Sequence, residues 1–174
     1  MAAAEPGEDR SEDEGQREDP VEMVVITGLS GAGKSEAIAA FEDAGYFCVD
    51  NLPPQMIGAL GELFRLPGSG VTKAAVVSDA RGGEYFEQLN QVLDDLEGDG
   101  IKPKLIFLEA HEEILTDRYK ETRRRHPSAP EGRITEGIER EREILAPLRA
   151  RADVVIDTSG ESASTLRRRI SEDL

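Results

Sequence analysis

The chain has little of what disulfide-rich, membrane-spanning and aromatic-rich binding proteins are built from. Its 174 residues include one cysteine, no tryptophan, five phenylalanines and three tyrosines. A single cysteine excludes an internal disulfide. No apolar run approaches the roughly 18 residues of a transmembrane helix, and the N-terminus lacks the apolar segment of a secretory signal. We therefore expect a cytoplasmic protein without a membrane partner.

Positive charge is also scarce. Lys and Arg number 21 against 36 Asp and Glu, which gives a formal net charge of −15. Such an excess of acids disfavours nucleic acid as a partner of the chain as a whole. Acids are densest in residues 1–20, where eight of them accompany two arginines and almost no large apolar side chain. We therefore expect a disordered acidic tail over residues 1–21 and a single domain over residues 22–174.

Short apolar segments alternate with stretches of helical periodicity along the remaining chain. The apolar segments predict strands at residues 23–27, 46–49, 74–78, 105–108 and 154–156. The periodic stretches predict helices at residues 34–44, 54–64, 85–97, 112–124, 136–146 and 162–170. Such alternation is typical of βαβ units. The sequence thus predicts an α/β fold in which a five-stranded parallel sheet carries helices on both faces.

Residues 28–35 read G-L-S-G-A-G-K-S and directly follow the first predicted strand. The spacing is that of the P-loop, G-x-x-x-x-G-K-[ST], in which backbone amides and a helix N-terminus bind phosphate. We expect Lys34 to reach the β- and γ-phosphates and the Ser35 hydroxyl to ligate Mg²⁺. The motif predicts a P-loop NTPase or kinase-like domain that binds a nucleoside triphosphate through Gly28, Leu29, Ser30, Gly31, Ala32, Gly33, Lys34 and Ser35.

An acid follows each of the other four predicted strands, namely Asp50, Asp79, Glu109 and Asp157. Ligand sites of parallel sheets lie at the carboxyl ends of the strands, yet acids there also cap helices and form turns. Asp79 ends a hydrophobic strand, as in the second motif of P-loop NTPases, and is expected to join Ser35 at Mg²⁺. Lys34, Asp50 and Asp79 are the candidate catalytic residues.

Basic side chains cluster between Arg118 and Arg133, and two interpretations stay open. The cluster is either a solvated helix end or a lid, in which Arg123, Arg124 and Arg125 close over phosphates. The neighbouring run E-R-E-R-E at residues 139–143 is predicted to be a salt-bridged surface. Cys48 is interpreted as a strand residue rather than a nucleophile.

Four segments besides the P-loop stand out, namely E-D-A-G-Y-F-C-V-D-N-L-P at 42–53, S-D-A-R-G at 78–82, Y-K-E-T-R-R-R-H-P at 119–127 and L-A-P-L-R-A-R-A-D-V-V-I-D-T-S at 145–159. Together with the P-loop they resemble the RapZ-type nucleotide-binding family, the bacterial RNase adaptor proteins. The resemblance implies ATP binding at the P-loop, weak hydrolysis, and GTP binding through Asp79, Ala80, Arg81 and Gly82. It also implies that some members bind a small regulatory RNA and present it to an endoribonuclease.

Proteins of this family resemble the chain in their first half only, and a second domain associated with RNA binding normally follows. The chain ends at Leu174, soon after the fifth predicted strand and its helix. We therefore expect the second domain to be absent. RNA and an endoribonuclease are expected as partners only where that domain is present. The sequence leaves homo-oligomer formation open.

Two classes of function follow. The first is a nucleotide-binding regulatory protein with weak ATP or GTP hydrolysis, which the resemblance favours. GTP rests on the resemblance, because the guanine-reading tetrapeptide N-K-x-D does not occur. The alternative is a small-molecule kinase of the nucleoside or shikimate type. In that case the basic cluster is a working lid and Asp50 activates an acceptor hydroxyl.

The lid interpretation predicts the behaviour of a triple variant. Replacing Arg123, Arg124 and Arg125 with Ala should raise the Michaelis constant for nucleotide or slow hydrolysis. The melting temperature should stay nearly unchanged, because exposed helix-end charges contribute little to stability. Steady-state hydrolysis and thermal unfolding measure both effects. An unaltered rate would identify the three arginines as a solvated surface.

Overall fold

The strands form one parallel sheet in the order β2-β3-β1-β4-β5. They are β1 (Glu22–Gly28), β2 (Phe47–Val49), β3 (Lys73–Val77), β4 (Lys104–Glu109) and β5 (Val154–Asp157). This computed structural model describes residues 21–79, 83–122, 128 and 133–173. The predicted acidic tail, the predicted nucleotide contacts Ala80, Arg81 and Gly82, and the arginines at 123–125 lie outside the described residues.

Strand β1 lies at the centre of the sheet and is buried along almost its whole length. Val25 stands opposite Val76 of β3 on one side and Leu105 of β4 on the other. From β1 the chain runs to β2 at one edge, whereas β3 leads back across β1 to β4. The strand order therefore reverses beside β1, and ligand clefts of open α/β sheets lie at such a reversal. The P-loop motif begins at the carboxyl end of this strand.

The described residues form six helices, of which five lie between strands and the last follows β5. They are α1 (Lys34–Asp43), α2 (Pro54–Phe64), α3 (Gly83–Gly98), α4 (Glu112–Thr122), α5 (Ile134–Arg151) and α6 (Ala163–Asp173). Helix α1 packs against α6, whereas α2 packs against α3 and α3 against α5. Because parallel crossovers are right-handed, these two groups cover opposite faces of the sheet. The predicted fold class is confirmed. In the described part of the chain, no helix has the length and apolar character to cross a membrane.

The predicted elements agree with the structure within three residues at every end except the C-terminal end of α5. The predicted helix 136–146 was too short at its C-terminus, because the residue before a proline usually ends a helix. Helix α5 continues through Pro147 to Arg151. Leu145 and Leu148 are both buried on either side of this proline. Their packing stabilises the last turns despite the hydrogen bond that a proline cannot donate.

Cys48 lies half-buried on the edge strand β2, as its strand interpretation requires. Burial raises the pKa of its thiol, and the nearby Glu42 carboxylate adds to the effect. A raised pKa keeps the thiol protonated at neutral pH and disfavours a nucleophilic role.

Gly28 is the point at which the P-loop leaves the sheet, and its environment predicts the effect of a substitution. A Cβ at Gly28 would lie 2.1 Å from the Leu108 carbonyl oxygen, at a φ of +140°. Gly28→Ala should therefore lower the free energy of unfolding by about 2–4 kcal/mol. In Gly58→Ala the new Cβ meets nothing within 4 Å. This control should be neutral or stabilising by about 0.5–1 kcal/mol. Urea titrations measure both, and equal stabilities would contradict the steric account.

Candidate functional site

The P-loop wraps from the end of β1 to the first turn of α1. Its three glycines have positive φ values of 140° at Gly28, 83° at Gly31 and 98° at Gly33. A side chain is strained in this region of φ, so glycine is the residue that allows the turn. The Leu29 amide donates to the Leu108 carbonyl at 2.9 Å, which ties the start of the loop to β4. The motif thus has the strand, turn and helix that phosphate binding requires.

Protein donors hold the carbonyl groups of Gly28, Leu29, Gly31, Ala32 and Gly33, while several amides of the loop have no acceptor in the described residues. Lys34 Nζ donates to the carbonyls of Gly28 and Leu29 at 2.8 and 3.1 Å. The Gly33 carbonyl accepts from the amides of Glu36 and Ala37. In the described residues, the amides of Gly31, Gly33 and Ser35 donate to no protein acceptor. Free donors at a helix N-terminus favour an anion.

Lys34 and Asp79 lie together at the carboxyl ends of β1 and β3. Lys34 Nζ is 3.7 Å from Asp79 Oδ1, and the two side chains are 10% and 9% exposed. The Ser35 residue is exposed one position further along α1. Lys34 and Asp79 therefore lie together beside the loop, and Ser35 follows Lys34 in the first turn of α1. These are the groups expected to contact phosphate and Mg²⁺.

Asp50 is exposed after the edge strand β2, and β3 separates that strand from β1. The segment that carries it is nevertheless fixed toward β3. The Leu52 amide donates to the Val77 carbonyl at 2.9 Å, and Ser78 Oγ donates to the Leu52 carbonyl at 3.0 Å. Asp50 therefore lies on a tethered turn beside the strand that leads to Asp79. A catalytic role for Asp50 stays a prediction.

Glu109 and Asp157 each make hydrogen bonds that give them a structural role at the end of a strand. Glu109 accepts from both Arg149 Nε and Nη2, at 2.6 and 2.9 Å. These hydrogen bonds lower the pKa of Glu109. Asp157 Oδ1 accepts from the amide and the hydroxyl of Ser159 at 2.8 and 2.5 Å, which lowers the pKa of Asp157. The first carboxylate anchors α5, and the second forms a turn.

Arg118 and Thr158 donate hydrogen bonds to carbonyl groups in the middle of the P-loop. Arg118 Nη1 donates to the Gly31 carbonyl at 2.9 Å, and Nη2 donates to the Thr158 carbonyl at 3.0 Å. Thr158 Oγ1 lies 2.9 Å from the Ala32 carbonyl. The solvated helix-end interpretation is therefore wrong for Arg118, whose guanidinium is a partly buried structural donor. The outcome for Arg123, Arg124 and Arg125 lies outside the described residues.

Glu141 is a site residue that the sequence analysis missed. The prediction of a salt-bridged surface for residues 139–143 is wrong at this position, where the residue is only 4% exposed. Its carboxylate accepts from the amide of Ser30 at 3.0 Å and from the Ser30 hydroxyl at 2.6 Å. The helical periodicity of the sequence could have shown that Glu141 is buried. Glu141 falls three residues after Ile138 and four before Leu145, on the buried face of α5.

A cavity of about 320 Å³ adjoins the loop. It is bounded by residues 31–33, Arg118 and Thr158 on one side and by residues 161–166 at the start of α6 on the other. A larger cavity of about 790 Å³ lies near the amino ends of β1 and β3, and Glu22, Phe64 and Lys102 help to line it. Because the free amides are at the carboxyl ends, the smaller cavity is the one placed to extend a phosphate site.

The sequence of this chain matches the RapZ-like N-terminal domain family over residues 21–174. The chain belongs to that family. A nucleotide-binding protein of Heliobacterium modesticaldum is 52% identical over 152 residues, which are 87% of this chain and 50% of that protein. Nucleotide-binding protein YvcJ of Bacillus subtilis is 48% identical over 151 residues, 86% of this chain and 51% of that protein. The chain thus spans about half the length of these curated relatives.

Solved structures of P-loop kinases share the fold of this RapZ-like domain. The shikimate kinase of Acinetobacter baumannii in complex with shikimate gives a TM-score of 0.56 at 17% identity, over 86% of this chain and 90% of that chain. A gluconokinase of Sinorhizobium meliloti gives a TM-score of 0.52 at 18% identity, over 88% and 91% of the two chains. At such low identity the likeness shows the architecture alone.

The structural role of Glu109 predicts a pH dependence. A carboxylate with a lowered folded-state pKa stabilises the fold above its ordinary pKa of 4.5 and loses that contribution as the pH falls through the folded value. Glu109→Gln should therefore be less stable than wild type at pH 7, and the difference should shrink as the pH falls below 4.5 and vanish once the pH is below the lowered folded-state pKa. Thermal unfolding across pH measures this, with the exposed Glu139→Gln as control. A difference that persists unchanged in acid would contradict the ion-pair account.

Proposed function

We propose that this chain is a nucleotide-binding regulatory domain that binds ATP, and by family resemblance GTP, together with Mg²⁺, and hydrolyses it weakly. The observation that supports this most is the P-loop itself. Protein donors hold most of its carbonyls, whereas the amides of Gly31, Gly33 and Ser35 face no protein acceptor in the described residues. The relatives of the chain are named nucleotide-binding proteins.

The residues of the loop fit a triphosphate with a divalent cation. At Gly28 and Gly33 the positive φ keeps the backbone in the curve that a phosphate cradle needs. Ser35 and Asp79 would hold Mg²⁺, with water as the other ligands, because this ion keeps much of its hydration shell. When bound, Mg²⁺ neutralises negative charge on the β- and γ-phosphates.

Lys34 would bind phosphate by exchanging its present acceptors. Its ammonium group now donates to two neutral carbonyl oxygens and lies near the Asp79 carboxylate. A phosphate oxygen is a stronger acceptor for this ammonium than a carbonyl, because its negative charge adds Coulomb attraction to the hydrogen bond. In the bound state Lys34 stabilises charge that develops on the transferred phosphoryl group. In the regulatory protein the acceptor of that group is water.

The alternative function is phosphoryl transfer to a small molecule. The tethered turn after β2 supports it, because Leu52 and Ser78 fix the segment of Asp50 beside the strand end that carries Asp79. In that position Asp50 would accept a proton from an acceptor hydroxyl. Kinases of shikimate and gluconate share the architecture. The family to which the chain belongs favours the regulatory function.

We propose an RNase-adaptor role only for a longer protein that contains this domain together with a second one. The curated relatives are about twice as long as the matched region. The chain as a whole carries 36 acids against 21 bases, which opposes contact with the phosphates of RNA. RNA and endoribonuclease partners would therefore require the second half found in the relatives.

Lys34→Ala tests the nucleotide site. The variant should lose measurable Mg-ATP binding, a decrease of at least about 50-fold in affinity, because it removes a charge-assisted contact to phosphate. Its melting temperature should stay within a few degrees of wild type. Lys102→Ala is the matched control, since Lys102 is exposed near the amino ends of the strands. Isothermal titration calorimetry with ATP and GTP measures both variants. Wild-type affinity in Lys34→Ala would overturn the proposed site.

A screen of phosphate acceptors separates the two functions. ADP release is measured with water alone and with nucleosides, shikimate and gluconate added. The regulatory function predicts slow release that no acceptor changes. Stimulation of many fold by one acceptor, lost in Asp50→Asn, would select the kinase function instead.

A further inference from the structure

Glu141 places a buried carboxylate directly against the nucleotide loop. The residue belongs to α5 and is 4% exposed, and Ser30 is 2% exposed. The two carboxylate oxygens accept from the amide and from the hydroxyl of Ser30, at 3.0 and 2.6 Å. A buried charge costs several kcal/mol unless it is paired and hydrogen-bonded. Two charge-assisted hydrogen bonds to one loop residue contribute to offsetting this cost.

Neighbouring residues of the loop are held from different helices. Ser30 is held by Glu141 of α5, and the carbonyl of the next residue, Gly31, is held by Arg118 of α4. The two contacts hold opposite kinds of backbone group. The Glu141 carboxylate accepts a hydrogen bond from an amide, whereas the Arg118 guanidinium donates one to a carbonyl oxygen. Together they fix the orientation of two peptide groups of the loop, the one between Leu29 and Ser30 and the one between Gly31 and Ala32.

We propose that Glu141 is a positioning residue of the nucleotide site, an inference that rests on the proposed function. Its carboxylate occupies the donors of Ser30 as a phosphate oxygen otherwise would, and its negative charge repels a second anion there. The phosphate is therefore directed to the later amides, those of Gly31, Gly33 and Ser35. Glu141 does not touch the nucleotide. It acts through Ser30 and sets the position along the loop at which phosphate binds.

Three variants of α5 separate this role from a general effect on packing. Glu141→Ala removes both acceptors, and Glu141→Gln keeps one carbonyl oxygen for the Ser30 amide while removing the charge. Glu143→Ala is the matched control, because Glu143 is an exposed glutamate on the same helix. Calorimetry should give a Kd for Mg-ATP raised about 10-fold or more in Glu141→Ala. Glu141→Gln should recover most of this loss, and Glu143→Ala should match wild type.

Hydrogen exchange of the nucleotide-free chain provides a readout that does not depend on binding. The peptide that contains Leu29 and Ser30 should exchange faster in Glu141→Ala, whereas peptides from β4 should exchange at wild-type rates. A merely structural role would raise exchange throughout α5 and the sheet. The conservative Glu141→Gln variant should restore slow exchange at Ser30, and it also serves where Glu141→Ala folds poorly.

Ser30→Ala completes a double-mutant cycle with Glu141→Ala. Because both variants break the same contact, the double variant should bind Mg-ATP no more than about 3-fold more weakly than Glu141→Ala alone. Fully additive losses would overturn the proposal. So would a Glu141→Ala chain that equals Glu143→Ala in both Kd and exchange while wild type binds Mg-ATP. If wild type binds no Mg-ATP, the proposed function fails, and exchange at Ser30 alone decides whether Glu141 positions the loop.

Discussion

The close contact between Gly28 and β4 is the constraint on which the site depends. Strand β1 is paired on both sides, so the chain that leaves it must pass directly over the neighbouring strand. The backbone of Gly28 passes so near the Leu108 carbonyl that no Cβ fits, and the next amide, that of Leu29, donates to the same carbonyl. The loop therefore starts from a fixed point at the centre of the sheet. This fixed start limits where the later residues of the loop can lie.

A second constraint is that protein donors hold most carbonyl groups of the loop, whereas several of its amides have no acceptor in the described residues. Lysine, arginine and threonine side chains hold the carbonyls of Gly28, Leu29, Gly31 and Ala32. In a chain with a net charge of −15, an anion is repelled at long range. Binding must then come from short-range donors that the protein itself does not satisfy. Because protein donors hold these carbonyls, the amides that remain without a protein acceptor in the described residues form such a set of donors, without a positively charged surface.

The sequence predicted the parts of this arrangement that depend on local pattern. Strand β1 and the P-loop followed from an apolar run and from glycine spacing, and the order of elements followed from their alternation. Arg118 and Thr158 could not be found in this way, because their contacts to Gly31 and Ala32 join segments that lie 87 and 126 residues apart. At Pro147 the predicted helix ended too early. The burial of Leu145 and Leu148 outweighs the local preference to end a helix before a proline.

Glu141 shows how one charged residue in an alternating run can differ from its neighbours. A leucine at this position on α5 would continue the apolar face of Ile138, Leu145 and Leu148 and avoid the cost of a buried charge. Replacing buried charged pairs with apolar side chains is often neutral or stabilising, so stability alone does not explain a carboxylate here. What a leucine cannot do is accept hydrogen bonds from the amide and hydroxyl of Ser30. The carboxylate is therefore best understood through the loop that it contacts, where the orientation of a few peptide groups decides whether an anion binds.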